Sequence, residues 1–278
     1  MDNLCIILQG YSFNPTHLTK LITNYNSQGI NKIIISTYKP CVNLPELQKL
    51  NCKVFFNDTD RKNLKDARTK SYRINKKKVN LQINFEEEVF PDSDTLENCK
   101  KYQDRYKDQY DYIERCLRTI NYKLKTTNEG LRKAQALYPE CEYYMVSRAD
   151  LEFYNLPERF NELNEKINVN SDIFENKIVP CRVLKHNILW DLWIYGKKND
   201  MINYFNVPYI KVWQDLPVRK KHTKVVESFF NRKYYCLKTN TKENEFNYDE
   251  FCNKYVYVDF QLKFRWMKHS KIYQPSLI

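Results

Sequence analysis

The chain has 278 residues, of which 42% are hydrophobic, 15% aromatic and 29% charged, with a formal net charge of +12. That balance excludes a disordered polymer and leaves ample material for a buried core. No uncharged apolar run approaches the roughly 20 residues of a membrane helix, and "LCIILQG" near the start is too short, and lacks the basic flank, for a signal peptide.

The expected setting is therefore cytoplasmic. Nine cysteines at 5, 41, 52, 99, 116, 141, 181, 236 and 252 show no C-x-x-C spacing, so they read as reduced, buried thiols rather than a disulfide frame or zinc site. Much of the positive charge sits in "DRKNLKDARTKSYRINKKK", Asp60 to Lys78, with nine Lys or Arg against two Asp. Such a block suits nucleic acid, the phosphates of a small donor, anionic lipid headgroups in peripheral contact with a membrane, or a polyanionic glycan.

In chain order, "LCIILQG" (4 to 10) predicts a buried strand, "THLTKLITNYNSQGI" a helix, and "KIIISTY" (32 to 38) and "CKVFFND" (52 to 58) two further strands. Continuous Ile and Val runs separated by helical patterns indicate an α/β fold with a mostly parallel sheet flanked by helices. Residues 59 to 105 break the pattern and read as a charged insertion or loop. From Tyr112 the apolar positions Ile113, Leu117, Ile120, Leu124, Leu131 and Ala134 predict a helix ending before Pro139, kinked or divided at "NEG".

"YYMVSRADLEF" (143 to 153) follows as a fourth strand, then a helix from "LPERFNELNEKI", strands over 177 to 184 and 188 to 196, and a short helix from "KKNDMINYF". A helix over 224 to 237 and a late strand over 254 to 264 complete an irregular second half. With no repeats and no Pro/Gly/Ser linker, residues 1 to 278 read as one domain. Only four glycines occur, at 10, 29, 130 and 196, where average usage gives about 19. Gly10 and Gly196 both end apolar strands, where a ligand approaches a sheet.

Ligands of open α/β sheets bind outside the carboxyl ends of the strands. The polar residues expected there are Gln9, Gly10, Ser36, Thr37, Asn57, Asp58, Arg148, Asp150 and Glu152. No P-loop and no G-x-G-x-x-G occurs, which disfavours a kinase or a dinucleotide enzyme. Along an extended strand Arg148, Asp150 and Glu152 share one face. Asp150 and Glu152 there read either as ligands for Mn²⁺ or Mg²⁺, which would neutralise a diphosphate, or as partners in an ion pair with Arg148.

"IILQGYS", "IIISTYKP", "VFFNDTD", "NYKLKTTNEGLRKA", "YYMVSRADLEF" and "WDLWIYGKKNDMINYF" occur in an order and spacing that resembles the WavE family of lipopolysaccharide-synthesis proteins, over about residues 4 to 206 outside the insertion. The resemblance implies a GT-A (Rossmann-like) glycosyltransferase using a nucleotide-sugar donor of UDP or GDP type and a glycan acceptor. It puts Gln9, Gly10, Thr37 and Asp58 in the nucleotide pocket and matches Arg148 and Asp150 to an Arg-x-Asp motif. Glu152 then completes an Asp-x-Asp-like metal motif with glutamate in the second place.

The chain departs from the family on the central helix, where Asn121, Tyr122, Lys123, Thr126 and Thr127 stand in place of Asn-Arg-Gln and Ser-Thr. Lys123 keeps a charge for phosphate beside Thr127, while the glutamine is lost. The family's Asp-Trp is displaced by one residue at Asp191. An inverting transferase needs a carboxylate base, for which Asp191 and then Glu227 are the candidates, with Trp190 and Trp193 as acceptor-stacking rings. A nucleic-acid or polyanion binding module and a nucleotidyltransferase on the same sheet are the rival readings, nucleic acid being the less expected partner.

Overall fold

Uninterrupted apolar runs, buried along their length over Leu4–Gln9 and nearly so over Tyr143–Arg148, make the strands at the centre of the fold. The computed structural model describes residues 3–9, 15–39, 44–60, 110–170, 174–184, 188–207, 225–242, 245–257, 259–260, 262–266 and 272–273. The elements run β1 (Leu4–Gln9), α1 (Pro15–Ser27), β2 (Ile33–Lys39), α2 (Leu44–Leu47), β3 (Lys53–Asp60), α3 (Tyr110–Leu137), β4 (Tyr143–Arg148) and β5 (Leu151–Phe153). They continue with α4 (Leu156–Val169), β6 (Ile178–Leu184), β7 (Ile188–Lys197), α5 (Lys198–Phe205), α6 (Val225–Thr239), α7 (Tyr248–Tyr255), β8 (Phe264–Trp266) and β9 (Ile272–Tyr273). The charged insertion expected from residue 59 begins later, since β3 runs to Asp60, and the basic block from Arg61 to Lys78 and the remainder to residue 105 lie outside the described residues.

Six strands form one sheet in the order β3-β2-β1-β4-β7-β6, and β5, β8 and β9 form a second. β1 to β4 run parallel, but β7 is antiparallel to both β4 and β6. The sheet is therefore mixed, which corrects the expectation of a mostly parallel one. Only the three residues 185–187 separate β6 from β7, and a parallel crossover needs a dozen or more.

Alternation sorts the strand residues between two core layers. Cys5, Ile7, Ile34, Tyr144 and Val146 pack with Leu124, Leu131 and Ala134 of α3 and with α5, α6 and α7. Leu4, Ile6, Leu8, Ile33, Ile35, Tyr143 and Met145 pack with α1, α4 and the second sheet. Burial holds the Cys5 thiol far above its ordinary pKa and pushes Cys52 up to about 11, so neither is a reactive thiolate.

α3 is one continuous helix through "NEG", neither divided nor stopped there. Gly130 serves close packing instead: a Cβ on it would lie 2.4 Å from Ile7 Cγ2 and 3.3 Å from Ser36 Cβ. Gly130→Ala is expected to lower the melting temperature, because overpacking of about 1–3 kcal/mol outweighs the gain of about 1 kcal/mol in helix propensity. Differential scanning calorimetry of the variant checks this.

Gly29 has φ +78°, the left-handed conformation that closes α1. Gly196 pairs with Tyr144 at the start of β4, at the end of the sheet remote from the strands' carboxyl ends. It faces Lys177 O and Met201 there, which corrects its reading as a ligand-side glycine. Gly10 lies outside the described residues.

Candidate functional site

The chain steps outward from β1 to β2 and β3, and then α3 carries it back to β4 on the other side of β1. Strand order reverses between β1 and β4, and that switch point is where an open α/β sheet binds ligands. Gln9, the last residue of β1, stands there in register with Ser36 of β2 on one side and Arg148 of β4 on the other.

The residues two earlier on those strands, Ile7, Ile34 and Val146, all lie in the core layer beneath α3. The period-2 rule therefore puts Ser36, Gln9 and Arg148 in one row on the α3 side. α3 meets that row at Thr126, with Lys123 and Thr127 beside it on the helix. Thr126 Oγ1 donates back to Lys123 O at 3.2 Å and reaches Gln9 Oε1 at 3.4 Å. Ser36, Thr126 and Thr127 are fully buried, yet the Ser36 and Thr127 hydroxyls have no hydrogen-bond partner among the described residues.

Buried hydroxyls without a partner are costly, about 1–3 kcal/mol each, and call for an explanation. These two lie at the switch point beside Gln9, where an open α/β sheet takes its ligand, while others such as Tyr144 and Tyr248 lie in the core. Lys123 is half-buried with Nζ 5.5 Å from the Phe230 ring of α6, and next to Phe230 lies Asn231. Asn231 is fully buried, accepts from Tyr204 Oη at 2.9 Å and has an amide nitrogen without a partner among the described residues. Nothing in the sequence distinguished Asn231, which sits on an apolar face of α6.

"SRADLEF" is not one strand. β4 ends at Arg148, the chain turns at Ala149 and Asp150, and Leu151–Phe153 pairs with β8 in the second sheet. Arg148 and Asp150 nevertheless meet. Arg148 Nε donates to Asp150 Oδ1 at 2.8 Å and Nη2 to Oδ2 at 2.7 Å, a bidentate pair in which the Asp150 side chain is 8% exposed and the Arg148 side chain 38%.

Glu152 turns to other partners. Its carboxylate accepts from Tyr154 Oη at 3.1 Å and Asn24 Nδ2 at 3.4 Å. Burial first, and the Glu152 charge second, hold the Tyr25 phenol well above its ordinary pKa. Tyr25 Oη donates to Leu151 O, and Gln28 Oε1 takes the first N–H of α4, so the last turn of α1 anchors this whole segment.

Divalent cations want several oxygen ligands, with carboxylates contributing open lone pairs. Both oxygens of Asp150 instead accept from a guanidinium, and Glu152 is bonded towards α1, so this arrangement does not fit Mn²⁺ or Mg²⁺. Among the described residues no group of three or more His, Cys, Asp or Glu side chains is placed to hold a metal.

The other sequence candidates divide. Thr37 is fully buried at the end of β2, and Asp58 lies in β3. Asp191 and Trp190 belong to the start of β7, which runs antiparallel past the carboxyl end of β4, and Glu227 lies in the first turn of α6. The side chains of Asp58, Trp190, Asp191 and Glu227 fall outside the description.

Trp193 is fully buried between the two sheets, edge-on to Phe153 and Phe260, and is a core residue rather than an exposed platform for a sugar. A further buried carboxylate, Asp200, lies at the far end of β4 with Lys238 at 3.4 Å. Burial raises its pKa, Lys238 opposes that, and the pair ties α5 to α6.

Compared with protein families and with characterised proteins, the sequence matches no family model and no curated protein. Fold and site define an α/β protein whose six-stranded mixed sheet carries a polar row at its switch point, buried at Ser36 and Gln9 and partly exposed at Arg148. Among the described residues no helix is long and apolar enough to cross a membrane.

Proposed function

We propose that this protein is a glycosyltransferase of GT-A type that binds a nucleoside-diphosphate sugar between the carboxyl ends of β1 and β4 and passes the sugar to a glycan acceptor. The observation that carries the reading is the in-register row Ser36–Gln9–Arg148, with two buried hydroxyls, Ser36 and Thr127, that no group among the described residues satisfies. The ordered WavE-like motifs support it, because their Gln9, Thr127 and Arg148 fall in or against this row. Neutral polar groups suit the base and ribose of a nucleotide, and Arg148 with Lys123 suits its diphosphate.

In the reaction a carboxylate takes the proton of the acceptor hydroxyl, the freed oxygen bonds to the anomeric carbon, and the bond from that carbon to the diphosphate breaks. The nucleoside diphosphate departs with the electron pair. Asp191 and Glu227 are the candidate bases. The variant lacking the true base, Asp191→Asn or Glu227→Gln, should lose about 10²–10⁴-fold in kcat with donor affinity unchanged.

Thermal-shift screening against UDP, GDP and CMP sugars tests the donor class. A ligand at 100 times its Kd stabilises by about 2.7 kcal/mol, which raises Tm by several degrees. Stabilisation by nucleoside triphosphates alone would favour nucleotidyl transfer, and salt-sensitive binding of RNA or DNA without any nucleotide response would favour a polyanion-binding module.

A further inference from the structure

We infer that the charge of the donor diphosphate is met by the Arg148 guanidinium, held in position by Asp150, so that donor binding needs no divalent cation. This rests on the reading of the switch-point crevice as a nucleoside-diphosphate site and assigns its electrostatics. An acidic pair beside a phosphate site ordinarily offers its oxygens to a metal. Here the two carboxylates have been separated by the turn at Ala149–Asp150.

Asp150 spends both oxygens on Arg148, at 2.8 and 2.7 Å, and Glu152 is bonded to Asn24 and Tyr154 on the α1 side. Leu151 between them is fully buried, its carbonyl held by Tyr25. A cation approaching Asp150 would meet a guanidinium already in place. A phosphate would meet a planar fork of fixed orientation.

Arg148 has the attributes such a receptor needs. It is always charged, it presents N–H donors in a geometry that matches phosphate oxygens, and Asp150 fixes the plane of its fork. Its 38% exposure leaves it reachable, whereas Asp150 at 8% is set behind it. It lies next to Gln9 in register, one place from the unpartnered Ser36 hydroxyl, and Ala149 N donates to Gln9 O at 3.3 Å, which ties the turn to the row. Asp150 is thus a positioning residue.

Isothermal titration of the full chain with UDP and GDP, each in EDTA and in Mn²⁺, and with uridine and guanosine as diphosphate-free controls, tests this. The expected result is diphosphate binding in EDTA within about threefold of that in Mn²⁺. Arg148→Ala should weaken UDP or GDP at least tenfold and leave the nucleoside unchanged, a loss confined to the phosphates that general damage to the fold would not produce. Because Arg148→Ala strands the buried Asp150 charge, Arg148→Gln combined with Asp150→Asn provides a neutral pair of similar shape, and the same loss is expected. Arg148→Lys should keep part of the affinity.

Binding that vanishes in EDTA, returns with Mn²⁺ and ignores Arg148→Ala would overturn the inference while leaving the nucleotide reading intact. Absence of binding by every nucleotide in both conditions would overturn the nucleotide reading itself, and this inference with it.

Discussion

Trp193→Ala should lower the stability of the protein by about 3–5 kcal/mol, a large part of the roughly 5–15 kcal/mol that holds a domain folded. Trp193 is among the largest fully buried side chains and stands where the two sheets meet. Its ring lies 6.2 Å from Phe153 of the second sheet at 86° and 6.5 Å from Phe260 at 89°, edge-to-face contacts that lose their partner on truncation. Phe153 in turn packs on Phe264 of β8, so the void would open between sheets and not at a surface that can collapse.

The indole N–H of Trp193 has no hydrogen-bond partner among the described residues. Trp193→Phe, which keeps most of the ring volume and removes that orphan donor, should therefore cost much less than Trp193→Ala. Urea unfolding separates the cases, because a shift of midpoint at constant m reports stability alone. A Trp193 that served as a sugar platform would give the opposite pattern, with the midpoint unchanged and the acceptor KM raised.

The place of Trp193 shows where sequence reasoning reached and where it stopped. The tryptophan's β strand was legible from its apolar run, but an apolar run covered on both faces reads the same whether its ring meets solvent, sugar or core. Strand direction is legible too, because the three-residue link before Ile188 is too short for a parallel crossover. Polar strand ends were readable one by one at Gln9, Ser36 and Arg148. Their union in a row was not, because it depends on the register between strands, which only tertiary packing sets.

Two local signals were outvoted by alternation. "RADLEF" alternates well enough to pass for one extended strand, since Leu151 and Phe153 are buried by the second sheet just as the first sheet would bury them. "KYVYVDFQLKF" alternates also, yet its first two residues finish α7. Asn247 caps that helix by accepting the Glu250 N–H, with Asp249 and Glu250 in its first turn, and this start signal decides the matter over the β-prone residues that follow.

Ser36→Ala and Thr127→Val should leave the ligand-free protein as stable or more stable, while weakening the crevice ligand. Thr126 and Thr127 are neighbours on α3, and the comparison between them is instructive. Thr126 returns its proton to Lys123 O, the local bond that a helical threonine commonly finds, whereas the Thr127 hydroxyl is buried without one. Valine preserves the shape of Thr127 and removes the unsatisfied oxygen, so about 1 kcal/mol of stabilisation is expected from relief of its desolvation.

Each hydroxyl that bonds a ligand contributes about 0.5–1.5 kcal/mol net, so each substitution should raise the nucleotide Kd about two- to twelvefold. The double variant need not be additive, because Gly130 brings α3 against Ser36 and the two sites are close enough to couple. A gain in Tm together with a loss of affinity marks groups kept unsatisfied for a ligand's sake, the usual trade of stability for function. A fall in Tm would mean instead that the two hydroxyls serve the fold, and unchanged affinity would put the ligand elsewhere than against α3.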